Sequence, residues 1–309
     1  MDFEGRVVKS TGSWYIVRTP GGNVVDCRLK GKFRMHDLKN TNPVVVGDLV
    51  TVTAVSDTEW IISKIHPRNN YIIRKATKSS KTLHILASNV DQAVVVASIC
   101  NPRTPPGFLD RFLVTAEAYN IPGIVIFNKT DLYTEEDYDN LEYFRLVYNQ
   151  AGYKVLTASA LEGKGMDEIA AILSGKITLM AGNSGVGKSA LINRLEPGLN
   201  IKTQEISDYN SKGKHTTTFA QMHSLSFGGY IIDSPGIKEF GLIDFKKEEV
   251  GLYFPEMKKI LEKCQFYNCT HSHEPGCAVK IAVENGLIAH TRYTSYLNII
   301  DDKELETYN

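Results

Sequence analysis

Residues 181 to 190 read AGNSGVGKSA, and within them Gly182, Gly187, Lys188 and Ser189 stand at the spacing GxxxxGK[ST]. Glycines at those places let the backbone wrap so tightly that its N–H groups converge on phosphate oxygens, and the following helix adds the positive end of its dipole. Asn183, Ser184, Gly185 and Val186 complete the cradle, and Ala190 continues into the helix. Lys188 is placed to reach the β- and γ-phosphates and Ser189 to ligate Mg²⁺. The context fits, because KITLM before the loop patterns as a strand and SALINRL after it as a helix. A bare Gly-rich turn is the plainer alternative. Such a loop ordinarily opens its domain, whereas here 180 residues precede it.

Those residues fall into two stretches of different rhythm. Up to about residue 66 the runs GRVVKS, SWYIVRT, NVVDCRL, GDLVTVTAV and EWIISKI are separated by TPGGN, KNTNP and SDTE. Five short strands predict a small β-barrel, with the oligonucleotide-binding (OB) fold leading and an SH3-like barrel reading much the same way. Charge adds to this: residues 1 to 81 hold 14 Lys plus Arg against 7 Asp plus Glu, while the whole chain has 35 of each. A basic front end suits a polyanion, and a merely solvated basic surface is the bland reading. HPRNN and the basic RKATKSSK, residues 74 to 81, read as a linker or arm.

From about residue 83 strand and helix patterns alternate: NVDQAVVVASI, GFLDRFLVTAEAYN, GIVIFNK, EEDYDNLEYFRLVYNQAG, KVLTAS, GMDEIAAILSG, KITLMAG, GKSALINRL, then FAQMHSLSF and GYIIDSPG. Near-continuous apolar strands alternating with helices predict a mostly parallel sheet covered on both faces. Beyond about residue 245 the pattern turns to short helices and a Cys/His cluster. The expected division is residues 1–68, 69–245 and 246–309. At 309 residues the chain exceeds one core. No apolar run is long enough to span a bilayer, and MDFEGRVVKS lacks an export pattern, so a cytoplasmic chain without a membrane partner is expected.

Three further short motifs end strands. NKTD, residues 128 to 131, follows GIVIF. An Asp there can accept from the ring N1–H and the exocyclic amine of guanine, a donor pair adenine lacks, so Asp131 supplies base specificity. Asn128 braces neighbouring loops and the stem of Lys129 lies over the base; a helix-capping turn is the alternative. TASA, residues 157 to 160, places the backbone of Ser159 and Ala160 near the guanine O6. DSPG, residues 233 to 236, offers Asp233 to Mg²⁺ and the Gly236 N–H to the γ-phosphate. Between the phosphate loop and DSPG lies KGKHTTT, residues 212 to 218, in which Thr217 caps the Mg²⁺ of a GTP-bound state if the stretch is a switch loop rather than a polar surface loop.

Of five cysteines, Cys27 and Cys100 read as small buried hydrophobes. Cys264, Cys269 and Cys277 join His271 in CQFYNCTHSHEPGC, spaced CxxxxCxHxxxxxC. Three thiolates and an imidazole suit one tetrahedral, closed, structural Zn²⁺. His273 is an alternative to His271, and reduced cysteines near a turn are the metal-free reading.

The motif set resembles the GTPases of the translation-factor class, in which NKxD and SA follow DxxG. Here they precede the phosphate loop. The sheet is thus read as circularly permuted, which a domain whose termini lie close together tolerates. With a barrel in front and a Cys/His segment behind, the chain closely resembles the bacterial ribosome small-subunit-dependent GTPase A family. That resemblance implies an OB-fold domain, a circularly permuted GTPase domain and a small helical zinc-binding domain. It further implies a monomer that binds GTP and GDP, engages the small ribosomal subunit and its rRNA late in maturation, and hydrolyses GTP when stimulated by it. Ile237 follows DSPG where many GTPases carry a water-orienting Gln. The resemblance points instead to His215 as the residue that positions or activates water, a role open to an imidazole titrating near neutrality. Two other readings stay open on the residues: a nucleotide-locked RNA-binding scaffold without functional hydrolysis, and a phosphate-loop small-molecule kinase, against which NKTD argues.

Overall fold

The computed structural model describes residues 2–11, 14–30, 43–56, 59–75, 83–201, 221–233 and 246–301, with residues 74, 75, 83, 84 and 233 described by backbone alone. The five expected front-end strands form: β1 (Asp2–Ser10), β2 (Tyr15–Arg18), β3 (Val24–Leu29), β4 (Leu49–Ala54) and β5 (Trp60–Ile65). Their order 1-2-3-5-4 closes because β1 also pairs with β4, from Asp2↔Thr53 to Arg6↔Leu49. The inward positions Val7, Val17, Cys27, Val50, Val52 and Ile62 are fully buried, as period-two alternation requires. This is the closed OB-like barrel, with β3 and β5 as its parallel pair. Cys27 is a core hydrophobe whose thiol is pushed up to about 12, first by burial and then by Asp26. Cys100 is not one; it lies partly exposed in the loop after a central strand, where the apolar run has already ended.

The stretch read as a linker is partly a hairpin. β6 (Tyr71–Lys75) pairs antiparallel with β7 (Leu83–Ser88) as a separate two-stranded sheet. The basic run masked a β-branched start, YII, whose Ile72 is fully buried.

The central domain holds β8 (Gln92–Ala97), α1 (Pro106–Ala118), β9 (Gly123–Phe127), α2 (Glu135–Ala151), β10 (Lys154–Thr157), α3 (Met166–Leu173), β11 (Ile177–Gly182), α4 (Lys188–Leu195), β12 (Gln221–Ser224) and β13 (Tyr230–Asp233). The strands run in the order 10-9-8-11-13-12, all parallel except β12. Ala93, Val95 and Ala97 of β8 pack with residues of α1 and α2 on one face, while Val94 and Val96 pack with residues of α3 and α4 on the other. That two-sided burial is why the strand reads as one apolar run. α2 starts on a capping box between Thr134 and Asp137 and stops at Gly152 in the left-handed region.

Among the described residues, barrel and central sheet join through the register pair Lys9↔Gln221, which makes β1 the neighbour of β12. A second seam ties the barrel to the β6–β7 hairpin. Gly47, at φ +96, lies so close to Ser88 that a Cβ there would sit 1.9 Å from the Ser88 carbonyl oxygen. Beside it the fully buried Asp48 receives Arg68 (2.6 and 2.7 Å), Ser88 Oγ (2.6 Å) and the Val45 N–H (2.9 Å).

The C-terminal segment folds as short helices, with α5 (Pro255–Lys258), α6 (Ala278–Glu284) and α7 (His290–Ile300) around Phe254, Met257, Val279 and Tyr296. It is clamped to the central domain by Arg292. That guanidinium is 1% exposed, donates to Asp110 of α1 at 2.7 Å and to Glu256 at 2.7 and 3.2 Å, and lies over the Phe254 ring at 4.6 Å. Burial opposes its charge, and the two facing carboxylates more than offset that and raise its pKa.

Candidate functional site

Five parallel strands present their C-terminal ends on one edge, and the chain reverses its winding between β8 and β11, where Gly182 pairs with Val96. That is the crevice in which open α/β sheets take ligands. NKTD leaves β9, the 159–160 loop leaves β10, the phosphate loop leaves β11, and Asp233 ends β13 with its backbone beside Met180. The permuted order thus brings motifs from two distant stretches of chain to one crevice.

The phosphate loop has the backbone its glycines allow. Gly185 and Gly187 sit at φ +81 and +87, and a Cβ on Gly187 would lie 2.4 Å from Asn128 Nδ2. A Cβ on Gly182 would meet the Val96 carbonyl oxygen at 2.7 Å. Val186 is fully buried with Leu191 and Ile192, which anchors the loop from beneath. Asn183, Lys188 and Ser189 are partly exposed, and Ser184 and Ala190 are exposed.

Asn128 ties the base-side loops to the phosphate side. Its side chain is 1% exposed; Nδ2 donates to the Val186 carbonyl at 3.0 Å, and Oδ1 accepts the Ala160 N–H at 3.1 Å. One carboxamide therefore spans three motif loops. Its own carbonyl accepts from the Tyr133 hydroxyl at 2.8 Å, which in turn accepts the Ile99 N–H at 3.0 Å. Burial first, against hydrogen bonds from Ser98 and Ile99, pushes the Tyr133 pKa up, so it acts as a neutral hydroxyl. Lys129, at φ +69, donates its ammonium to the Asn101 carbonyl, which stretches the stem across the loop. Asp131 is partly exposed, and its Oδ1 accepts from Ser159 Oγ at 2.5 Å.

The N–H groups of Ser159 and Ala160, whose backbone the sequence reading places near a guanine O6, donate to the Lys164 carbonyl (3.1 Å) and to Asn128 Oδ1 (3.1 Å). The Ser159 hydroxyl aims the Asp131 carboxylate. That role, and those of Tyr133 and the Asn101 carbonyl, carry no local sequence signal. His215, Thr217 and Gly236 lie outside the described residues.

The second centre is the Cys/His cluster. The ligand atoms of Cys264, Cys269, His271 and Cys277 all lie within 4.8 Å of one another. His271 Nδ1 stands 3.6 Å from Cys264 Sγ and 3.4 Å from Cys277 Sγ. Metal–sulfur and metal–nitrogen bonds of zinc length at a tetrahedral angle give an edge of about 3.5 Å, so the donor set fits a closed metal site. His273 is exposed and bonds Ser272 Oγ at 2.9 Å, outside the cluster. Burial pushes Cys269 up to about 12 and raises Cys277 too, so three adjacent thiolates require a cation. Burial lowers the His271 pKa, leaving a neutral imidazole suited to ligation. Around the cluster, the Tyr293 and Tyr296 hydroxyls donate to the carbonyls of His271 and Thr270, both at 2.6 Å. Burial opposes the charge on Glu274, yet bonds from Thr270 and neighbouring N–H groups hold its pKa down at about 2.

A family model described as RsgA GTPase matches residues 65–243, more than half of the chain, and one described as RsgA N-terminal domain matches residues 4–62. The small ribosomal subunit biogenesis GTPase RsgA of Phocaeicola vulgatus is 50% identical over 99% of this chain and 98% of its own length. Its namesake from Flavobacterium psychrophilum is 49% identical over 98% and 94%. Among solved structures, YjeQ from Thermotoga maritima superposes with a TM-score of 0.81 at 35% identity, covering 98% of both chains. YloQ, described as a circularly permuted GTPase, gives 0.76 at 30% over 98% and 95%. Permuted strand order, closed barrel and near-full-length identity agree: the chain belongs to the RsgA GTPase family.

Proposed function

We propose that the chain is a GTPase of small-ribosomal-subunit biogenesis, which binds GTP at the β8/β11 crevice and hydrolyses it to GDP and phosphate late in the subunit's maturation. The observation that carries this is the Asn128 side chain, one residue bonded to both the phosphate loop and the 159–160 loop. It supports a single pocket with guanine at Asp131 and phosphates at Lys188. The relatives' shared name, small ribosomal subunit biogenesis GTPase, supplies the partner.

In this reading Ser189, Thr217 and Asp233 would hold Mg²⁺, which neutralises charge developing on the phosphates. The Gly182–Ser189 backbone orients the triphosphate, Asp131 selects the base, and Gly236 senses the γ-phosphate. His215 positions or activates the attacking water when the small subunit is bound. The Cys264, Cys269, His271 and Cys277 set holds zinc in a structural role. The barrel faces rRNA, the protein acts as a monomer, and its workplace is the cytoplasm, where small subunits mature.

Single-turnover GTP hydrolysis with and without purified small subunits tests the reading. Stimulation is expected, and His215→Ala removes about 10²-fold of it while leaving GTP affinity intact. Equal rates with and without subunits would favour the nucleotide-locked scaffold, and an unchanged stimulated rate in the variant would refute the histidine's role.

The metal assignment has its own check. Cys269→Ser is expected to drop bound zinc from one equivalent toward none and to open residues 264–277 to proteolysis, because metal binding contributes on the order of 10 kcal/mol to small sites of this kind. Full metal content with unchanged protease resistance would exclude Cys269 as a ligand.

A further inference from the structure

The outer face of α2 serves neither the nucleotide crevice nor the metal cluster. Its inner face buries Leu141, Phe144, Val147, Tyr148 and Ala151. Asp139, Glu142, Tyr143, Leu146 and Gln150, spaced to share the opposite side, are all exposed. Large apolar side chains belong to that outer side: Tyr143 is 46% exposed and Leu146 68%. The patch continues onto the C-terminal segment. Gln150 Nε2 donates to the Leu287 carbonyl at 3.1 Å and the Tyr143 hydroxyl bonds Thr291 Oγ1 at 3.3 Å. Leu287, itself 64% exposed, is held through its backbone by Gln150, one turn along the outer face from Leu146. Scattered surface leucines need no explanation, but exposed apolar side chains on both sides of one packed seam mark an interface.

Charge decides the class of partner. In 17 residues α2 carries Glu135, Glu136, Asp137, Asp139 and Glu142 against Arg145 alone, and that arginine is spent on Glu142 at 2.7 Å. Asp139 and Glu142 beside the apolar centre, with Glu135 and Glu136 in the first turn of the helix, repel nucleic-acid phosphates. They equally repel a second copy of the same face, which disfavours a symmetric dimer. A cationic polypeptide satisfies both features, its Lys and Arg meeting the acidic rim and an apolar side chain covering Leu146.

We propose that Tyr143, Leu146 and Leu287, rimmed by the acidic first turns of α2, dock a Lys/Arg-rich protein segment of the small ribosomal subunit, with the rRNA contacted elsewhere. This rests on the small-subunit reading above. Because these side chains face solvent, substituting them leaves the fold and the nucleotide crevice intact.

The test is the affinity of Leu146→Glu and of Leu287→Ser for purified small subunits, beside GTP affinity and photo-crosslinking from a benzophenone side chain at position 146. Each variant is expected to bind subunits about tenfold more weakly, with GTP affinity unchanged, since central apolar anchors carry most of an interface. Crosslinks are expected to run to protein. Undiminished subunit affinity overturns the proposal, as do crosslinks to RNA, or a concentration-dependent dimer in the wild type that Leu146→Glu abolishes. A wild-type chain that fails to bind subunits sinks the parent reading first, and that result is visible before any variant is made.

Discussion

Asp131→Asn is expected to weaken GTP binding about 10²- to 10³-fold while leaving ATP binding as poor as before. The carboxylate offers two acceptors to the guanine N1–H and amine. The carboxamide replaces one acceptor with an N–H that faces a donor. Ser159 Oγ, which now donates to Asp131 Oδ1 at 2.5 Å, can still hold the Asn carbonyl, so the substitution changes the hydrogen-bond code with little loss of geometry. The same variant should gain affinity for xanthosine triphosphate, whose 2-oxo group accepts where guanine donates. Displacement of a fluorescent nucleotide measures all three ligands. GTP affinity within threefold of the wild type would show that Asp131 does not read the base.

Arg292→Met is the largest stability change expected. Removing the cation leaves Asp110 and Glu256, 1% and 9% exposed, without their counter-charge, although the Tyr148 hydroxyl still donates to Asp110 at 3.0 Å. Breaking a buried pair from one side costs about 3–5 kcal/mol, or roughly 10 °C in Tm for a domain of this size. Adding Asp110→Asn and Glu256→Gln should recover much of the loss, because the penalty lies in the orphaned charges and not in the missing contact. A single variant melting within 2 °C of the wild type would show that the clamp carries no weight.

The placing of the phosphate loop and NKTD at the ends of β11 and β9 was legible because each motif is a short loop following an apolar strand. GNSGVGKS, NKTD and the order in which they occur were enough to expect a permuted sheet, and the OB-like barrel followed from five short alternating runs. What was not legible depends on contacts distant in sequence. The Lys9↔Gln221 pair that fuses barrel and sheet spans most of the chain, and no pattern in either strand encodes it. The hairpin of β6 and β7 was hidden because a basic run outweighed two isoleucines. Arg292 sits in the stretch HTRYTSYLNII, which reads as an ordinary amphipathic face; only packing against α1 shows that its guanidinium is internal. The Ser159 hydroxyl went unread for the same reason, since its partner is 28 residues away.

The account stands on one pocket assembled from a reordered chain. Its most direct test is the structure of this protein with a non-hydrolysable GTP analogue. The Asp131 carboxylate is expected within hydrogen-bond distance of the purine N1 and exocyclic amine, and Lys188 Nζ of the same molecule's β- and γ-phosphate oxygens. A nucleotide seated with either of those side chains out of reach would contradict it.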